Sequence, residues 1–428
     1  MYRSVSRPQR LTALTVCASN LSGKQILVIG GTGRVGSSTA SVLINSFPGV
    51  KVTVASRYQE TYNQAVERRP ELQQARYIKL DINEESSIKA ALEQKMDLVI
   101  HVAGPFQQSE NHKVLEHAIA TRTPYLDVSD DTTYSERSKS QYAAAASSSG
   151  VPAIISAGIY PGTSNIMAAH MISISRKEYD DEWNFLDTPG TDGIEPDWLR
   201  YSYYTAGTGG AGPTILATSL LLAGEDAIVY KDGKQFTLPA VSNRREVDFG
   251  PGIGRKGLYV YNLPEVASAY KLLKVKGASA RFGTDPFLWN WGMWLVARLL
   301  PKSILRNQAF ARAMAKVLDP VVRATDKISG EAVAMKVEVD FEKGKNSAGV
   351  FVHRKLSDSI GYSVAGFAQS LLEGGTAPGV WFPEEKLALK DRRAFLKFAS
   401  TGCERFDLNK PAWSFESDVK SFVGMIYW

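Results

Sequence analysis

Short apolar runs alternate with amphipathic stretches between residues 24 and 159, and this alternation predicts repeated β-α-β units. Each apolar run has the length of one strand that is buried on both faces, as in a parallel sheet. The predicted strands span residues 25–30, 51–57, 75–82, 97–104, 123–129 and 152–159. The amphipathic stretches predict the connecting helices. We therefore predict an α/β fold built on a doubly wound parallel sheet.

Beyond Tyr160 the pattern changes to longer polar and aromatic segments. Residues 331–345 alternate apolar and polar positions, end on a glycine-containing turn and precede a second alternating stretch at 346–356, which predicts an antiparallel hairpin. This sequence pattern is typical of a second domain with an α+β fold. The predicted divisions are 1–22 for a transit peptide or disordered N-terminus, 23–159 for the first domain, 160–356 for the second domain and 357–428 for a helical segment that packs back on the first.

Length and composition agree with two globular domains. The chain has 428 residues, of which 44% are hydrophobic and 22% are charged, so it is long enough to build more than one core. Its net charge is +6, but the basic residues are scattered and accompany no nucleic-acid-binding motif, so we predict no nucleic-acid partner. Cys17 and Cys403 are too few for a disulfide framework, which favours a reducing compartment.

The first 22 residues contain three arginines, several serines and threonines, and no acidic residue. Such a composition is typical of an organelle transit peptide. The sequence Val16-Cys17-Ala18 resembles the end of chloroplast transit peptides, so we predict a chloroplast location, in the stroma or at a membrane surface. An ordinary disordered N-terminus and a cytoplasmic location are the alternative.

A glycine-rich turn joins the first predicted strand to the first predicted helix. Glycines in such a turn let the backbone approach a pyrophosphate, which then lies at the N-terminus of the helix. The turn consists of Gly30, Gly31, Thr32, Gly33, Arg34, Val35 and Gly36. It fits the G-x-G-x-x-G pattern, and its position between a strand and a helix predicts a dinucleotide-binding domain of the Rossmann type.

The second predicted strand ends in Ser56-Arg57, without the acidic residue that binds the ribose 2′-hydroxyl of NAD. A hydroxyl and a guanidinium suit the 2′-phosphate of NADP, and Arg34 would add a second positive charge. We therefore predict NADP (NADPH) as the cofactor. Asp81-Ile82, after the third strand, is placed to contact the adenine, although an Asp at a strand end is equally often a solvated turn residue.

The ends of the later strands supply candidates for the nicotinamide and substrate positions. Ala103-Gly104-Pro105-Phe106 follows the fourth strand, where small residues and a turn would face the nicotinamide. Asp127, Asp130 and Asp131 follow the fifth strand and would either orient the substrate or cap the next helix. The catalytic candidates are Tyr160, Asp127, Asp130 and His101, although His101 lies in an apolar run typical of a core residue. We predict no metal site.

Six short motifs together resemble the saccharopine dehydrogenase-like oxidoreductases. The motifs are GGTGRVG, the strand end ASR, VAGPF, YLDVSDD, AGIYPGTSN and LLEGGTAPGVWFPEE. The resemblance implies a Rossmann domain, an inserted α+β substrate domain that often carries dimer contacts, a C-terminal return to the first domain, and NAD(P) as cofactor. It therefore implies a small-molecule substrate and a homodimer.

Two departures from the family argue against saccharopine as the substrate. True saccharopine reductases tend to have an acidic residue shortly after the Pro-Gly that is Pro161-Gly162 here, whereas this chain continues Thr163-Ser164-Asn165. Asp130-Asp131 also replaces the family's common Gly-Glu. We predict a member of the family that is not a true saccharopine reductase.

A tryptophan-rich segment begins at Phe287 and ends at Leu300. As a helix it would extend about 21 Å, short of a hydrocarbon core of about 30 Å, so it cannot span a membrane. Its tryptophans either pack into the core or lie at a membrane interface, with basic side chains facing lipid phosphate. The basic residues concerned are Arg298, Lys302, Arg306 and Arg312. The segment is also compatible with a bulky or lipid-like substrate.

Two functional hypotheses follow from these patterns. The first is an NADP-dependent oxidoreductase that transfers a hydride to or from an imine, carbonyl or conjugated double bond. The second is a non-catalytic NADP-binding protein, with a redox-sensing or assembly role, that attaches to a membrane complex through the tryptophan-rich segment. The fold alone does not separate them.

Overall fold

The computed structural model of the protein describes residues 21–207 and 213–416. The strands are β1 (Gln25–Ile29), β2 (Lys51–Ser56), β3 (Arg76–Lys79), β4 (Leu98–His101), β5 (Tyr125–Asp127), β6 (Pro152–Ile154), β7 (Pro196–Ala206), β8 (Ala227–Lys231), β9 (Lys234–Leu238), β10 (Ser242–Asp248), β11 (Arg255–Val260), β12 (Gly277–Asp285), β13 (Ala332–Phe341), β14 (Asn346–His353), β15 (Gly379–Trp381) and β16 (Arg405–Lys410). They form two sheets.

Helices cover and connect these sheets. The α-helices are α1 (Arg34–Ser46), α2 (Gln59–Arg68), α3 (Glu85–Leu92), α4 (Lys113–Ala120), α5 (Thr132–Ser148), α6 (Thr163–Ser175), α7 (Pro213–Ala223), α8 (Pro264–Ser268), α9 (Leu288–Leu299), α10 (Lys302–Leu305), α11 (Gln308–Ser329), α12 (Leu356–Leu372) and α13 (Arg392–Ala399). Short turns of other helix types span Pro70–Gln74, Ala269–Leu273, Glu342–Gly344 and Ala412–Phe415.

The first sheet is a Rossmann-like parallel sheet of seven strands in the order β15-β6-β5-β4-β1-β2-β3. The predicted α/β fold is therefore confirmed, with all six predicted strands present. The strands end earlier than the apolar runs do. The run at 97–104, for example, leaves the sheet after His101, because its last residues form a loop at the carboxyl edge. The direction of winding changes between β1 and β4, which places the ligand-binding switch point there.

Apolar residues fix the centre of this sheet. Ile26, Leu27, Val28 and Ile29 of β1 are fully or almost fully buried, because helices cover both faces. One of these helices, α1, packs closely against α12. A side chain at Gly361 of α12 would begin 2.7 Å from Ser38 Oγ. The close approach of the two helices thus depends on that glycine.

The second sheet is mixed, in the order β10-β11-β12-β7-β13-β14-β16, with β8 paired to β12 and β9 paired to β8. Strands β12 and β7 are parallel, and β13 pairs with both β7 and β14 in antiparallel fashion. The hairpin predicted from the alternating pattern is β13 and β14, with Lys336 opposite Val350. The sequence-based prediction of a second, α+β layer is therefore confirmed.

The C-terminal segment contributes to both sheets. Strand β15 pairs with β6 at the edge of the first sheet, and β16 pairs with β14 in the second. The predicted helical segment from residue 357 thus contains two strands beside its helices α12 and α13, and β15, with three residues, is too short to show a periodic pattern. The predicted transit peptide lies outside the described residues except for its last two positions.

Candidate functional site

A cleft of about 1250 Å³ lies at the carboxyl edge of the first sheet, opposite residues of the second domain. The first-domain wall contains every residue predicted to bind the cofactor except Gly31, which lies buried under the turn. These wall residues are Gly30, Thr32, Gly33, Arg34, Val35, Gly36, Ser56, Arg57, Asp81, Ile82, Ala103, Gly104, Pro105 and Phe106. The facing wall comes from α7, α11, α12 and the second sheet. The cleft therefore lies at the predicted switch point.

The glycine-rich turn is built for close packing beneath the cleft. Gly30 has φ +82°, and a Cβ there would lie 2.8 Å from the Ala103 backbone. A Cβ on Gly31 would lie 2.8 Å from the Val28 carbonyl oxygen, and one on Gly36 would overlap the carbonyl of Gly30. These three positions need glycine because strand, turn and helix touch.

Gly33 differs from these glycines because a side chain there would meet only one backbone atom and would line the cleft. A Cβ there would meet only the Gly30 carbonyl oxygen, at 3.3 Å, and its φ of −68° is ordinary for any residue. The space above it lies at the N-terminus of α1, whose first turn has no acidic side chain. A pyrophosphate fits this cradle, because helix N-termini present unpaired N–H groups to anions.

The ends of β2 and α2 form a cationic corner of the cleft. Arg34, Arg57 and Arg68 all line it. The Arg57 guanidinium lies 5.6 Å from the centre of the Tyr58 ring, and Arg68 Nη2 donates to the Thr32 carbonyl at 2.9 Å. Partial burial and the nearby charge of Arg34 lower the pKa of Arg68. Arg68 was missed from sequence, since only the packing of α2 brings it to this corner.

Asp81 belongs both to the cleft wall and to a turn. Its Oδ1 accepts hydrogen bonds from the backbone N–H and the side-chain amide of Asn83, each at 3.0 Å. Asn111 Nδ2 donates to the Ile82 carbonyl at 3.0 Å and ties this turn to the loop after β4. Asp81 is therefore a turn residue at the end of a strand and, at the same time, lines the cleft where the adenine was predicted to lie.

The three acidic residues after β5 occupy different environments. Asp127 is fully buried, and its Oδ1 accepts the N–H groups of Ser129 and Ser156 at 3.0 and 2.8 Å. Asp131 caps α5, where its Oδ1 accepts the N–H of Tyr134 at 2.7 Å. Asp130 alone lines the cleft. Asp127 was therefore a poor candidate for contact with a substrate, because its carboxylate holds the loop.

Asp130, Tyr160 and His101 bring polar chemistry to the cleft. Burial raises the pKa of Asp130 to about 6, and the negative charge of the neighbouring Asp131 carboxylate also raises this pKa. Burial also raises the pKa of the Tyr160 phenol, whose ring stacks on Tyr203 at 4.4 Å.

His101 lies at the end of β4 with only 3% of its surface exposed. Its Nδ1 is 3.3 Å from the Tyr125 hydroxyl, and its ring lies 5.0 Å from the ring of Phe106. Burial lowers its pKa to about 4, so the ring is neutral at physiological pH. Among these groups only Asp130 changes charge near neutral pH.

Helix α11 closes the cleft from the second domain. Gln308 Nε2 donates to the Gln107 carbonyl at 2.6 Å, and Gln108 Nε2 donates to the Arg306 carbonyl at 2.9 Å. These bonds hold the start of α11 against the loop after β4, and place Arg312 and Lys316 in the cleft wall. Sequence periodicity could not show which distant helix faces the cleft.

This arrangement corrects part of the membrane interpretation. Arg312 was expected to face lipid, but it lines the cleft. Lys302 Nζ lies 2.6 Å from the Asp226 carboxylate, so its charge is paired on the protein surface. Arg298 Nη1 donates to the Ala240 carbonyl at 3.3 Å.

Helix α9, which covers most of the tryptophan-rich segment, has two different faces. Its inner face includes Met293, which is 8% exposed, and Trp289. Both side chains pack against the apolar residues of α7 and α11. The outer face is apolar, and Leu288, Trp291 and Leu299 are 62%, 63% and 70% exposed. The three tryptophans therefore do not act as one group, because Trp289 points inward. In the described parts of the chain, no helix is both long and apolar enough to span a membrane.

Comparison with known proteins relates the first domain to a family of dehydrogenases. Residues 26–154 match the family model of the saccharopine dehydrogenase NADP binding domain. No curated protein matches the chain in sequence. Among solved structures, apo saccharopine dehydrogenase (L-Glu forming) from Saccharomyces cerevisiae superposes with a TM-score of 0.58 at 15% identity, over 88% of this chain and 96% of that one. This likeness shows that the two-domain fold is shared.

Other solved structures are similar over a smaller part of the chain. Pen from Bacillus thuringiensis is 22% identical over 32% of this chain and 52% of that one, with a TM-score of 0.28. A short-chain type dehydrogenase/reductase from Mycobacterium marinum is 16% identical over 25% of this chain and 56% of that one, with a TM-score of 0.22.

Proposed function

We propose that the protein is an NADP-dependent oxidoreductase that binds NADPH and its substrate in the cleft between the two domains. The observation that carries this proposal is the open cradle above Gly33, next to a corner lined by Arg34, Arg57 and Arg68. The match of residues 26–154 to an NADP-binding domain supports it independently. The reaction class is hydride transfer to or from a carbonyl, an imine or a conjugated double bond.

Each part of the cleft wall would hold a different part of the cofactor. The turn around Gly33 and the start of α1 would bind the pyrophosphate, and the arginines would bind the 2′-phosphate. Asp81 and Ile82 would lie beside the adenine, and residues 103–106 beside the nicotinamide. When bound, NADPH supplies the hydride. The residues of this chain need only orient the substrate and move a proton.

Asp130 is the residue we assign to the proton. Its carboxyl group lines the cleft, and the loss of contact with water in this half-buried position raises its pKa to about 6. A carboxyl group that titrates near the working pH can donate a proton in reduction and accept one in oxidation. In reduction, the hydride would go to the carbon of the C=O or C=N bond and the Asp130 proton to the heteroatom. Tyr160 would position the substrate through its ring.

Deuterium transfer tests this function across all three classes of acceptor. The protein is incubated with NADPH in which both hydrogens at nicotinamide C4 are deuterium, and with representative carbonyl, imine and conjugated-alkene compounds. We expect one class to gain one deuterium atom for each NADPH oxidised, and we expect the Asp130→Asn variant to transfer it at least about 100-fold more slowly. Tight NADPH binding without deuterium transfer to any class would contradict catalysis.

The outer face of α9 favours a second component of function, peripheral contact with a lipid bilayer. Leu288, Trp291, Leu295 and Leu299 make an exposed apolar stripe along one side of the helix. The Arg298 guanidinium lies 5.8 Å from the Trp294 ring at the border of this stripe. Tryptophan and arginine side by side are typical of a helix that lies in the membrane interface. This contact would also serve the non-catalytic alternative, an NADP-binding protein attached to a membrane complex.

A further inference from the structure

A small apolar chamber of about 60 Å³ lies beside the cleft in the second domain. Its walls come from α7, α9, α11 and β12. The aliphatic and aromatic side chains that line it are Leu216, Tyr261, Phe282, Trp289, Met293 and Val322. Among the described residues of the lining, none is charged. The chamber is thus the place where the inner face of α9 meets the rest of the domain.

Three polar residues in the chamber wall, Thr205, Thr284 and Asn290, are bonded to one another or to the backbone of the wall. Thr284 Oγ1 donates to the Thr205 carbonyl at 3.0 Å, and Thr205 Oγ1 donates to the Gly207 carbonyl at 3.1 Å. Asn290 Nδ2 donates to the Thr284 carbonyl at 2.7 Å, while its Oδ1 accepts the Thr284 N–H at 3.0 Å. Because these groups use their hydrogen bonds within the wall, the chamber suits a carbon-rich group rather than a polar one.

The chamber adjoins the cleft. Ser219, Tyr261 and Phe282 line both spaces. The start of α11 is bonded to the loop after β4, where the nicotinamide would lie, and the same helix carries Val322 to the chamber. A molecule with its reactive carbon in the cleft could therefore extend a substituent into the chamber.

We propose that the chamber is a substrate-specificity pocket and that the substrate carries an uncharged alkyl group of about four carbon atoms next to its reactive centre. This rests on the proposed oxidoreductase function. The length follows from the volume, since one water-sized group takes up about 10–15 Å³ of such space. Each buried methylene group should strengthen binding about fourfold until the chamber is full.

A chain-length series of 2-alkanones tests the proposal. The series runs from propanone to 2-octanone and is titrated, by ligand-observed NMR, into protein saturated with NADP⁺, which cannot reduce a ketone. We expect the affinity to rise about fourfold per methylene group up to an alkyl chain of about four carbons and then to level off. An affinity that does not depend on chain length in the unmodified protein would overturn the proposal.

Two variants on the same helix turn show whether the chamber is responsible. Val322→Phe fills the chamber, whereas Val321→Phe makes the same change at a neighbouring position that is 52% exposed. We expect only Val322→Phe to remove the chain-length dependence. If its melting temperature shows that it does not fold, Leu216→Phe fills the chamber from α7 and should give the same result. The proposal would also be overturned if Val322→Phe and Val321→Phe showed the same dependence of ketone affinity on chain length.

The same samples separate this proposal from the proposed function. NADP⁺ affinity is measured in each protein before the ketones are added, and we expect the two Val variants to bind it as the unmodified protein does. A lack of NADP⁺ binding in the unmodified protein would reject the proposed function itself. Normal NADP⁺ binding with no effect of chain length would reject the chamber alone.

Discussion

Arg57 lies at the end of β2, where an NAD-binding domain usually has an acidic residue. Arg34 and Arg68 line the same corner, so three arginines surround the proposed position of the 2′-phosphate. The sequence indicated Arg34 and Arg57 because both follow recognisable strand and turn patterns. It could not indicate Arg68, which reaches the corner from α2 through a hydrogen bond to the Thr32 carbonyl.

Exchange of Arg57 for an acidic residue should change the preferred cofactor. We expect Arg57→Asp to weaken NADPH binding about 10- to 100-fold, because a charged hydrogen bond contributes about 1.5–3 kcal/mol and the new carboxylate repels the 2′-phosphate. NADH binding should improve, since the carboxylate can accept the 2′-hydroxyl. Arg76→Asp, at the exposed start of β3 and outside the cleft lining, is the matched control. Calorimetry with both cofactors measures the effect, and a similar change in both variants would contradict a specific phosphate contact.

Two buried glutamates should make stability depend on pH. Burial raises the pKa values of Glu265 and Glu384 to about 7. The folded protein therefore binds protons more tightly than the unfolded chain, and this stabilisation is complete below about pH 4.5 and is lost as pH rises to about 7. We expect the free energy of unfolding to fall over that interval and Glu384→Gln to reduce the fall. Urea unfolding at a series of pH values measures it, with exposed Glu373→Gln as control. A pH profile unchanged by Glu384→Gln would contradict the assignment.

At the scale of elements, the strands of the first sheet were predictable because burial on both faces leaves continuous apolar runs. The strand β1 shows this most clearly. The strand β15 was not predictable, since its three residues form a strand only by pairing with β6, which is distant in the sequence. The sequence predicted that the C-terminal segment packs on the first domain, but it could not show that α12 meets α1 in particular, because the small residues of α1 suggest close packing without identifying the partner.

The contact between α1 and α12 should be sensitive to side-chain size. We expect Gly361→Val to lower the free energy of unfolding by about 1–3 kcal/mol, because the added side chain would collide with Ser38. Gln369→Val on the same helix is the control for the helix propensity of valine. Chemical denaturation compares the two variants. If Gly361→Val lowered the free energy of unfolding no more than Gln369→Val does, the close contact between α1 and α12 would not contribute to stability.

At the scale of the whole molecule, the first-domain half of the site could be predicted from sequence and the second-domain half could not. Rossmann strands end in a known order at one sheet edge, so residues from Gly30 to Phe106 could be placed together. Arg312, Lys316 and the apolar chamber depend on how α11 and α9 fold across that edge. No local pattern records such a long-range arrangement.

The outer face of α9 should control binding to membranes. We expect the unmodified protein to float with vesicles that contain anionic lipid, and binding to fall about tenfold for each side chain lost in the triple variant Trp291→Ser, Leu295→Ser and Leu299→Ser. Salt should weaken binding less than the triple variant does, because Lys302 is paired and Arg312 lies in the cleft, which leaves only Arg298 and Arg306 of the four basic residues to face lipid phosphate. Val321→Ser, an exposed change on α11, is the control. Flotation that the triple variant retains, or that the unmodified protein lacks, would reject membrane contact by this face.

Calorimetric titration of NADPH into the unmodified protein and into Gly33→Val tests the central claim most directly. A valine at Gly33 has an ordinary backbone conformation and would meet a single backbone atom, the Gly30 carbonyl oxygen at 3.3 Å, so the variant should fold with only a small fall in melting temperature. Its side chain would occupy the cradle of the pyrophosphate. We expect tight binding of NADPH to the unmodified protein and a loss of at least about 100-fold in the variant, which corresponds to about 3 kcal/mol. Equal NADPH affinity in the two folded proteins would show that the cofactor does not bind in this cleft.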